Sequence, residues 1–306
     1  MERLRIGTRG SPLALWQAGA VRAAIAAAAP ELAGGDRIEI VVIRTTGDRV
    51  QDRTLSEIGG KGLFTKEIED QLASGAIDLA VHSMKDMPTV LPDGLVIDAM
   101  LPRADPRDAL VALAPGGIDA LPPGAVVGTA SLRRQAQLLH RRPDLRIVPF
   151  RGNVDTRLAK LAAGQAAATV LALAGLQRLG KPEVASAVLE PEAMLPAVAQ
   201  GAIGIERRAG DARAAGLVAR IADRPTMTAV AAERALLAAL DGSCRTPIAA
   251  LAELDGAGGI TLRGLVATPD GARVVAGDWS AAAADAARLG QEAGSELRAR
   301  AAFLEP

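Results

Sequence analysis

The single cysteine of the 306-residue chain lies in a sequence that favours chemistry over packing. Cys244 belongs to the turn-like segment GSCRTP at residues 242–247, whereas a lone cysteine is more often a small buried apolar residue. The guanidinium of the adjacent Arg245 would stabilise the thiolate, which is the nucleophilic form of cysteine. We therefore expect Cys244 to be a covalent attachment point. With only one cysteine no internal disulfide can form, which indicates a reducing compartment.

A carboxylate follows a predicted strand in the segment HSMKDMP, residues 82–88. Asp86 comes directly after Lys85 and just ahead of Pro88, which sets a turn. A surface ion pair and a functional carboxylate are both open at this point. His82 is expected to be structural, and we assign it no role in chemistry.

Arginines accumulate where predicted strands run into predicted helices, namely Arg9, the pair Arg133 and Arg134, and the pair Arg151 and Arg157. A helix N-terminus presents unpaired N–H groups that bind anions, and a guanidinium binds carboxylates through two parallel hydrogen bonds. Each arginine alone is expected to be a solvated surface residue. Together, at the strand ends of one α/β scaffold, they predict a site for a ligand with several acid groups.

The segment GGKG at residues 59–62 does not fit a phosphate-binding loop. Gly62 stands where a serine or threonine would ligate magnesium. A flexible basic loop over a cleft and a plain surface turn both remain open.

Composition excludes several classes of function. Thirty-five basic residues balance thirty-five acidic ones, so there is no bulk charge that favours nucleic acid or an anionic membrane. Aromatic residues make up only 2% of the chain, which argues against base stacking. Two histidines and one cysteine do not make the usual zinc ligand set, so no metal is expected. The N-terminal sequence lacks a signal peptide pattern, and no apolar stretch is long enough to span a membrane, which predicts a cytoplasmic protein.

Short β-branched runs alternate with Ala/Leu-rich stretches, which is typical of βαβ units. Strands are predicted at residues 4–6, 37–43, 77–81, 125–127, 145–148 and 168–173. Ser11 and Pro12 are expected to begin a helix with Leu13, Trp16, Ala20 and Ala24 on its apolar face. Asn153 is expected to cap another helix, which Gly164 ends, and a third is predicted over residues 226–240.

Two proline-containing segments, residues 101–108 and 195–201, are predicted to be crossings between domains. After Pro225 a helix, the cysteine turn, two strands (residues 260–267 and 272–277) and a long Ala-rich helix indicate a small α+β domain. We therefore predict residues 1–101 and 200–220 as a first α/β lobe, residues 106–196 as a second, and residues 225–306 as a third domain.

Taken together, these segments resemble the porphobilinogen deaminase family. The resemblance runs almost end to end: IGTRGSPLALW at residues 6–16, GGKGLF at 59–64, HSMKD at 82–86, GTASLRR at 128–134, FRGNVDTRL at 150–158 and GSCRTP at 242–247. It implies two lobes like those of type II periplasmic binding proteins around a cleft, plus a small C-terminal α+β domain. It also implies a monomer that acts on the small molecule porphobilinogen.

The resemblance implies a dipyrromethane cofactor joined by a thioether to Cys244. On this cofactor four porphobilinogens are condensed head to tail, four ammonias leave, and hydrolysis releases hydroxymethylbilane. Asp86 matches the catalytic aspartate of the family. The other matched positions are cofactor-binding (Ser83, Lys85, Thr129, Ser131, Arg133 and Arg134, with Asp48 near the cofactor rings), substrate-binding (Arg9, Arg151, Arg157 and Arg178), or part of a lid loop (Lys61 and Phe64).

Two positions depart from the pattern of the family. Glu57 stands where many relatives have a lysine, and Arg245 stands where relatives often have a neutral residue. These departures bear on the lid loop and on the rate of cofactor loading, and they leave the proposed reaction unchanged.

Two hypotheses from other classes compete with the enzyme. A non-enzymatic binding protein for an organic anion could use the same two lobes, but it would have no use for Cys244 in a turn. The effector domain of a transcription regulator would need a DNA-binding helix pair, whereas residues 1–10 lead straight into a strand. A reagent test for bound pyrroles separates the enzyme from both.

Overall fold

The computed structural model describes residues 3–34, 37–45, 65–240 and 246–301. The chain forms two compact units, the first from residues 1–53, 58–104 and 202–227 and the second from residues 54–57, 105–201 and 228–306. In the described part of the chain, no helix combines the length and the apolar character needed to cross a membrane.

The first unit is built on a five-stranded sheet with helices against it. Its strands are β1 (Leu4–Arg9), β2 (Ile38–Ile43), β3 (Leu79–Ser83), β4 (Leu95–Met100) and β10 (Ile203–Arg208), and its helices are α1 (Pro12–Ala28), α2 (Lys66–Ala73) and α6 (Ala212–Ala219). The order is β2-β1-β3-β10-β4. Strands β1, β2 and β3 run parallel, while β10 is antiparallel to both of its neighbours.

Helix α1 begins as the sequence predicts, but its buried face differs from the predicted one. Ser11 Oγ accepts the Ala14 N–H at 3.3 Å, and Pro12 occupies the first turn. Val21 and Ile25 are fully buried against the sheet, whereas Trp16 is 45% exposed. The predicted face was wrong at Trp16 because the helix is apolar almost all round and therefore gives little periodic signal.

The second unit contains a sheet of the same design. Its strands are β5 (Asp108–Ala112), β6 (Val126–Gly128), β7 (Arg146–Val148), β8 (Ala168–Ala172) and β9 (Ala187–Leu189), with helices α3 (Leu132–Arg141), α4 (Val154–Ala162) and α5 (Leu173–Arg178). The order is β7-β6-β8-β5-β9, with β5 antiparallel to its neighbours. In each sheet, the inserted antiparallel strand is the first one after the chain arrives from the other unit.

The predicted cap and stop of α4 are confirmed. Asn153 Oδ1 accepts the Thr156 N–H at 2.8 Å, which satisfies one of the free donors at the start of the helix. Gly164 has a φ of +72°, the left-handed conformation that ends helices and that glycine adopts without strain.

The second unit also contains the C-terminal α+β elements. These are α7 (Arg224–Ala239), β11 (Ile248–Leu254), β12 (Gly259–Ala267), β13 (Val274–Ala282) and α8 (Ala286–Arg300), whose strands form an antiparallel sheet in sequential order. The helix predicted over residues 226–240 is confirmed as α7, and Ala232 and Leu236 on one of its faces are fully buried. A Cβ on Gly290 of α8 would lie 2.1 Å from the Ala232 carbonyl oxygen, so the two helices pack closely.

Contacts join this C-terminal part to residues 105–201. Leu195 packs against Ala249 and Leu251, and the Ala250 N–H donates to the Pro196 carbonyl at 3.1 Å. The division into three domains therefore stays a prediction, as does the cleft between the lobes.

Candidate functional site

In the first unit, the carboxylate of Asp86 lies on a single turn, and two buried side chains anchor this turn. Strand β3 ends at Ser83, and a 3₁₀ turn over Met84–Asp86 follows. Met84 and Met87 are buried at 2% and 4% exposure, while Lys85 and Asp86 are exposed. The Asp86 carboxylate therefore faces solvent from a backbone that is fixed by apolar packing on both sides.

Two buried polar contacts support the end of β3. Gln17 of α1 is 2% exposed, and its Nε2 donates to Ser83 Oγ at 2.8 Å. His82 Nε2 lies 3.0 Å from Glu206 Oε2 of β10, and both side chains are almost fully buried. This placement agrees with the structural role expected for His82. Arg9 is the last residue of β1 and is half-buried.

In the second unit, two hydroxyls lie at the N-terminus of α3. Thr129 is 4% exposed, and its backbone N–H donates to the Val148 carbonyl at 2.9 Å. Thr129 Oγ1 accepts the Ser131 N–H at 3.2 Å, and Ser131 Oγ accepts the Arg134 N–H at 3.4 Å. Ser131 is therefore the N-cap of α3, at the helix end that favours anions.

Behind this helix end, two arginines share one buried carboxylate. Arg134 Nη2 donates to Asp108 Oδ1 at 2.7 Å, and Arg133 Nη1 lies 2.8 Å from Asp108 Oδ2. The arginines also donate to the carbonyl oxygens of Leu195 and Val170, both at 2.8 Å. All three charged side chains are below 8% exposure. The arginines thus hold the strands and the helix of this unit together.

Charge in this cluster is unbalanced. Burial alone would raise the pKa of Asp108, but the guanidinium groups of Arg133 and Arg134 outweigh it and hold that pKa well below its usual range. Burial lowers the pKa of Arg133, and Asp108 only partly offsets this effect. One carboxylate faces two guanidiniums, and Arg134 Nε is buried without a hydrogen-bond partner among the described residues. The cluster therefore keeps an excess positive charge beside the N-terminus of α3.

The remaining predicted arginines of the second unit lie in, or just before, two helices. Arg151 precedes α4, and its Nη1 is buried with no hydrogen-bond partner within the described ranges. Arg157 Nε donates to the Gly152 carbonyl at 3.0 Å, so these two arginines flank the same helix N-terminus. Arg178 ends α5 and donates to the Gly201 carbonyl at 2.7 Å, and burial lowers its pKa to about 10.

Four predicted site residues, Cys244, Asp48, Lys61 and Phe64, lie outside the described residues, as do Glu57 and Arg245. Two residues that sequence reasoning missed are Gln17, which supports Ser83, and Asp108, which pairs the arginines. Asp108 falls at the end of the charged segment 101–108 that the sequence marks as a crossing. Nothing in the sequence connects it to arginines 25 and 26 residues further on.

Comparison with known proteins identifies the class and then the family. The family model described as "Porphobilinogen deaminase, dipyromethane cofactor binding domain" matches residues 4–216, and the one described as "Porphobilinogen deaminase, C-terminal domain" matches residues 227–299. These matches define a transferase with a dipyrromethane cofactor. The chain belongs to the porphobilinogen deaminase family, whose members are also called hydroxymethylbilane synthases and act in tetrapyrrole biosynthesis.

Curated relatives match over nearly the whole chain. The porphobilinogen deaminase of Paracoccus denitrificans is 60% identical over 97% of this chain and 94% of its own length. The chloroplastic porphobilinogen deaminase of Oryza sativa is 52% identical over 97% of this chain and 84% of its own length. Among solved structures, the Bordetella pertussis BvgS VFT2 domain is 15% identical with a TM-score of 0.41, covering 72% of this chain and 85% of that domain. A likeness at that level does not indicate a shared function.

Proposed function

We propose that this enzyme joins four porphobilinogens head to tail and releases hydroxymethylbilane by hydrolysis. Each condensation expels one ammonia, and the final step consumes one water. The observation that carries the assignment of the site is the unbalanced Asp108–Arg133–Arg134 cluster beside the Ser131-capped helix end. Pyrroles that carry acetate and propionate groups have the charge that this cluster lacks.

We assign the catalytic role to Asp86. Loss of ammonia from the ammonium form of porphobilinogen leaves a positive charge that is spread over the pyrrole ring. A carboxylate in a fixed position beside the ring nitrogen stabilises that charge in the transition state, and it can also assist transfer of the proton that leaves when the new C–C bond forms. The burial of Met84 and Met87 supports the assignment, because it fixes the turn that carries Asp86.

Cys244 is the proposed attachment point of the dipyrromethane cofactor. When bound, the cofactor supplies the pyrrole carbon to which the first substrate is joined. Ser83 and Lys85 in the first unit would bind its carboxylates, and Thr129, Ser131, Arg133 and Arg134 would do so in the second. Asp48 is proposed to lie near the cofactor rings.

The incoming substrate and the growing chain are assigned to Arg9, Arg151, Arg157 and Arg178. The buried Nη1 of Arg151, which lacks a hydrogen-bond partner among the described residues, supports an anionic partner at the start of α4. Lys61 and Phe64 are proposed to form a lid. We further propose a three-domain monomer that works in the cytoplasm.

Replacing Asp86 by asparagine tests the catalytic assignment. We expect Asp86→Asn to lower kcat at least about 100-fold, since one aimed electrostatic group in an active site typically contributes this much. The melting temperature should stay unchanged because the side chain is exposed. The matched control is Asp93→Asn, an exposed carboxylate in the loop before β4, which should keep wild-type turnover. Near-normal kcat in a folded Asp86→Asn protein would refute the role of Asp86.

A further inference from the structure

One buried amide joins the two segments through which the chain passes between its units. Gln200 is 1% exposed, and its Nε2 donates to the Pro106 carbonyl at 2.7 Å and to Asp108 Oδ1 at 3.0 Å. Pro106 lies between β4 and β5, whereas Gln200 lies between β9 and β10. The outgoing and returning crossings are therefore tied to each other by a single side chain.

The same contact reaches the arginine pair. Asp108 Oδ1 accepts from both Gln200 Nε2 and Arg134 Nη2, while Oδ2 faces Arg133 Nη1. Asp108 is the first residue of β5 and pairs with Ala172, the last residue of β8. Its carboxylate is fully buried, so its orientation is set by these three partners alone among the contacts described.

The backbone that carries Gln200 is held in an uncommon conformation. Ala199 has a φ of +59° and is the one non-glycine residue with positive φ in the described part of the chain. Its N–H donates to Glu233 Oε2, and Glu233 Oε1 accepts the Ala252 N–H at 2.8 Å. Glu233 is fully buried. A conformation of this kind persists only where the surroundings over-determine it, and such strain is concentrated at functional positions.

We propose that Asp108 and Gln200 are positioning residues that fix the Arg134 guanidinium, so that its Nε is available to a carboxylate of the dipyrromethane cofactor. They would thereby control cofactor loading. This inference rests on the proposed function of Arg134 in cofactor binding.

A second cluster of the same composition provides the control. Asp78, at 8% exposure, accepts from Arg5 Nη2 at 2.9 Å and lies 3.7 Å from Arg208 Nη2. It is therefore also a carboxylate between two guanidiniums. Neither Arg5 nor Arg208 belongs to the proposed site, so loss of Asp78 should affect stability without affecting cofactor loading.

The experiment follows loading of the cofactor by intact mass. Wild type, Gln200→Leu, Asp108→Asn and Asp78→Asn are produced in cells that lack porphobilinogen, incubated with porphobilinogen, and weighed under denaturing conditions over time. We expect Gln200→Leu and Asp108→Asn to load about tenfold more slowly, the effect of losing roughly one well-placed hydrogen bond. Asp78→Asn should load at the wild-type rate. The loaded fraction of Asp78→Asn should keep kcat within about twofold of wild type.

Two results would overturn the inference: wild-type loading by Gln200→Leu, or equally slow loading by Asp78→Asn at matched stability. Should Asp108→Asn not fold, Gln200→Leu decides, because it leaves the charged cluster intact. Arg134→Gln separates the inference from the proposed function. If Arg134→Gln loads at the wild-type rate, Arg134 does not bind the cofactor, and the proposed function of Arg134 is refuted. If Arg134→Gln loads slowly while Gln200→Leu loads normally, only the positioning role of Asp108 and Gln200 is refuted.

Discussion

The two five-stranded sheets share one strand order but place their polar residues on different strands. In the first unit, the crossover strand β10 brings the apolar Ile203 opposite Ser83, the last residue of β3. In the second unit, β5 brings the charged Asp108 opposite the apolar Ala172, the last residue of β8. At this strand pair, the polar residue therefore lies on β3 in the first unit, and on the crossover strand β5 in the second unit.

This difference separates two kinds of site. The polar end of β3 continues into a short turn on which Lys85 and Asp86 are exposed. Asp108 at the start of β5 faces inward and pairs with Arg133 and Arg134. All three side chains are below 8% exposure. We infer that the first unit supplies the reacting carboxylate, and that the second supplies a prearranged positive charge. An exposed group should affect turnover, whereas a buried group should affect stability.

The largest contrast in stability is expected between Asp108→Ala and Asp86→Ala. Removing Asp108 leaves two guanidiniums buried without a counter-charge, which should lower the free energy of unfolding by about 3–5 kcal/mol. Removing the exposed Asp86 should change it by less than about 0.5 kcal/mol. Denaturant titration of both variants measures this. Equal destabilisation by the two substitutions would erase the distinction between the units.

Two equivalent glycines should respond differently to a methyl group. Gly7 lies within β1 and Gly128 ends β6, and both are buried. A Cβ on Gly128 would lie 2.3–2.6 Å from three ring atoms of Phe150, whereas a Cβ on Gly7 would meet the flexible end of Ile77 at 2.3 Å. We expect Gly128→Ala to cost about 2–3 kcal/mol and Gly7→Ala about 1 kcal/mol. Thermal unfolding that ranks them in reverse would contradict the packing described.

Acid should weaken the second unit through Asp108. Its pKa in the folded chain is depressed, so its contribution to stability is complete above the unfolded pKa of about 3.9 and is lost as pH falls toward the folded value. The difference in unfolding free energy between wild type and Asp108→Asn should be constant from about pH 8 to pH 5. Below about pH 4 it should shrink by up to about 1.4 kcal/mol per pH unit. A difference that does not change down to pH 3 would argue against a depressed pKa.

The smallest expected effect concerns the two helix caps. Ser11 caps α1 and Ser131 caps α3 with similar long hydrogen bonds of 3.3 and 3.4 Å. Each substitution by alanine should cost about 0.5–1 kcal/mol. Only Ser131→Ala should also slow cofactor loading, since Ser131 is assigned to the cofactor. If Ser11→Ala slows loading to the same extent, the effect follows from stability and the assignment of Ser131 falls.

Elements fixed by local patterns could be predicted from the sequence. The strands around residues 4–6, 37–43, 77–81, 125–127, 145–148 and 168–173 are all present, with ends shifted by a few residues. Strand β11 was missed because IAALAEL is rich in alanine and lacks the alternation of a strand. Strand β10 was missed because its place in the sheet is set by pairing with β3 and β4, more than 100 residues earlier.

The residues of the candidate site also divide into those that local sequence predicts and those that only the fold brings together. Contiguous motifs pointed to Asp86, Ser131 and Arg134, but the environment of Arg134 depends on Asp108 and Gln200, which are distant in sequence. Sequence therefore indicated which residues carry the charges, and the fold determined that two of the arginines are buried and paired. The expectation that each arginine alone is a solvated surface residue is wrong for Arg133 and Arg134, which are buried.

The most direct test of the central claim is the intact mass of the full chain after incubation with porphobilinogen, measured under denaturing conditions. We predict an excess mass equal to two porphobilinogens less two ammonias on wild type, and none on Cys244→Ser. The bare mass on wild type, or the same adduct on Cys244→Ser, would contradict a dipyrromethane cofactor held through Cys244.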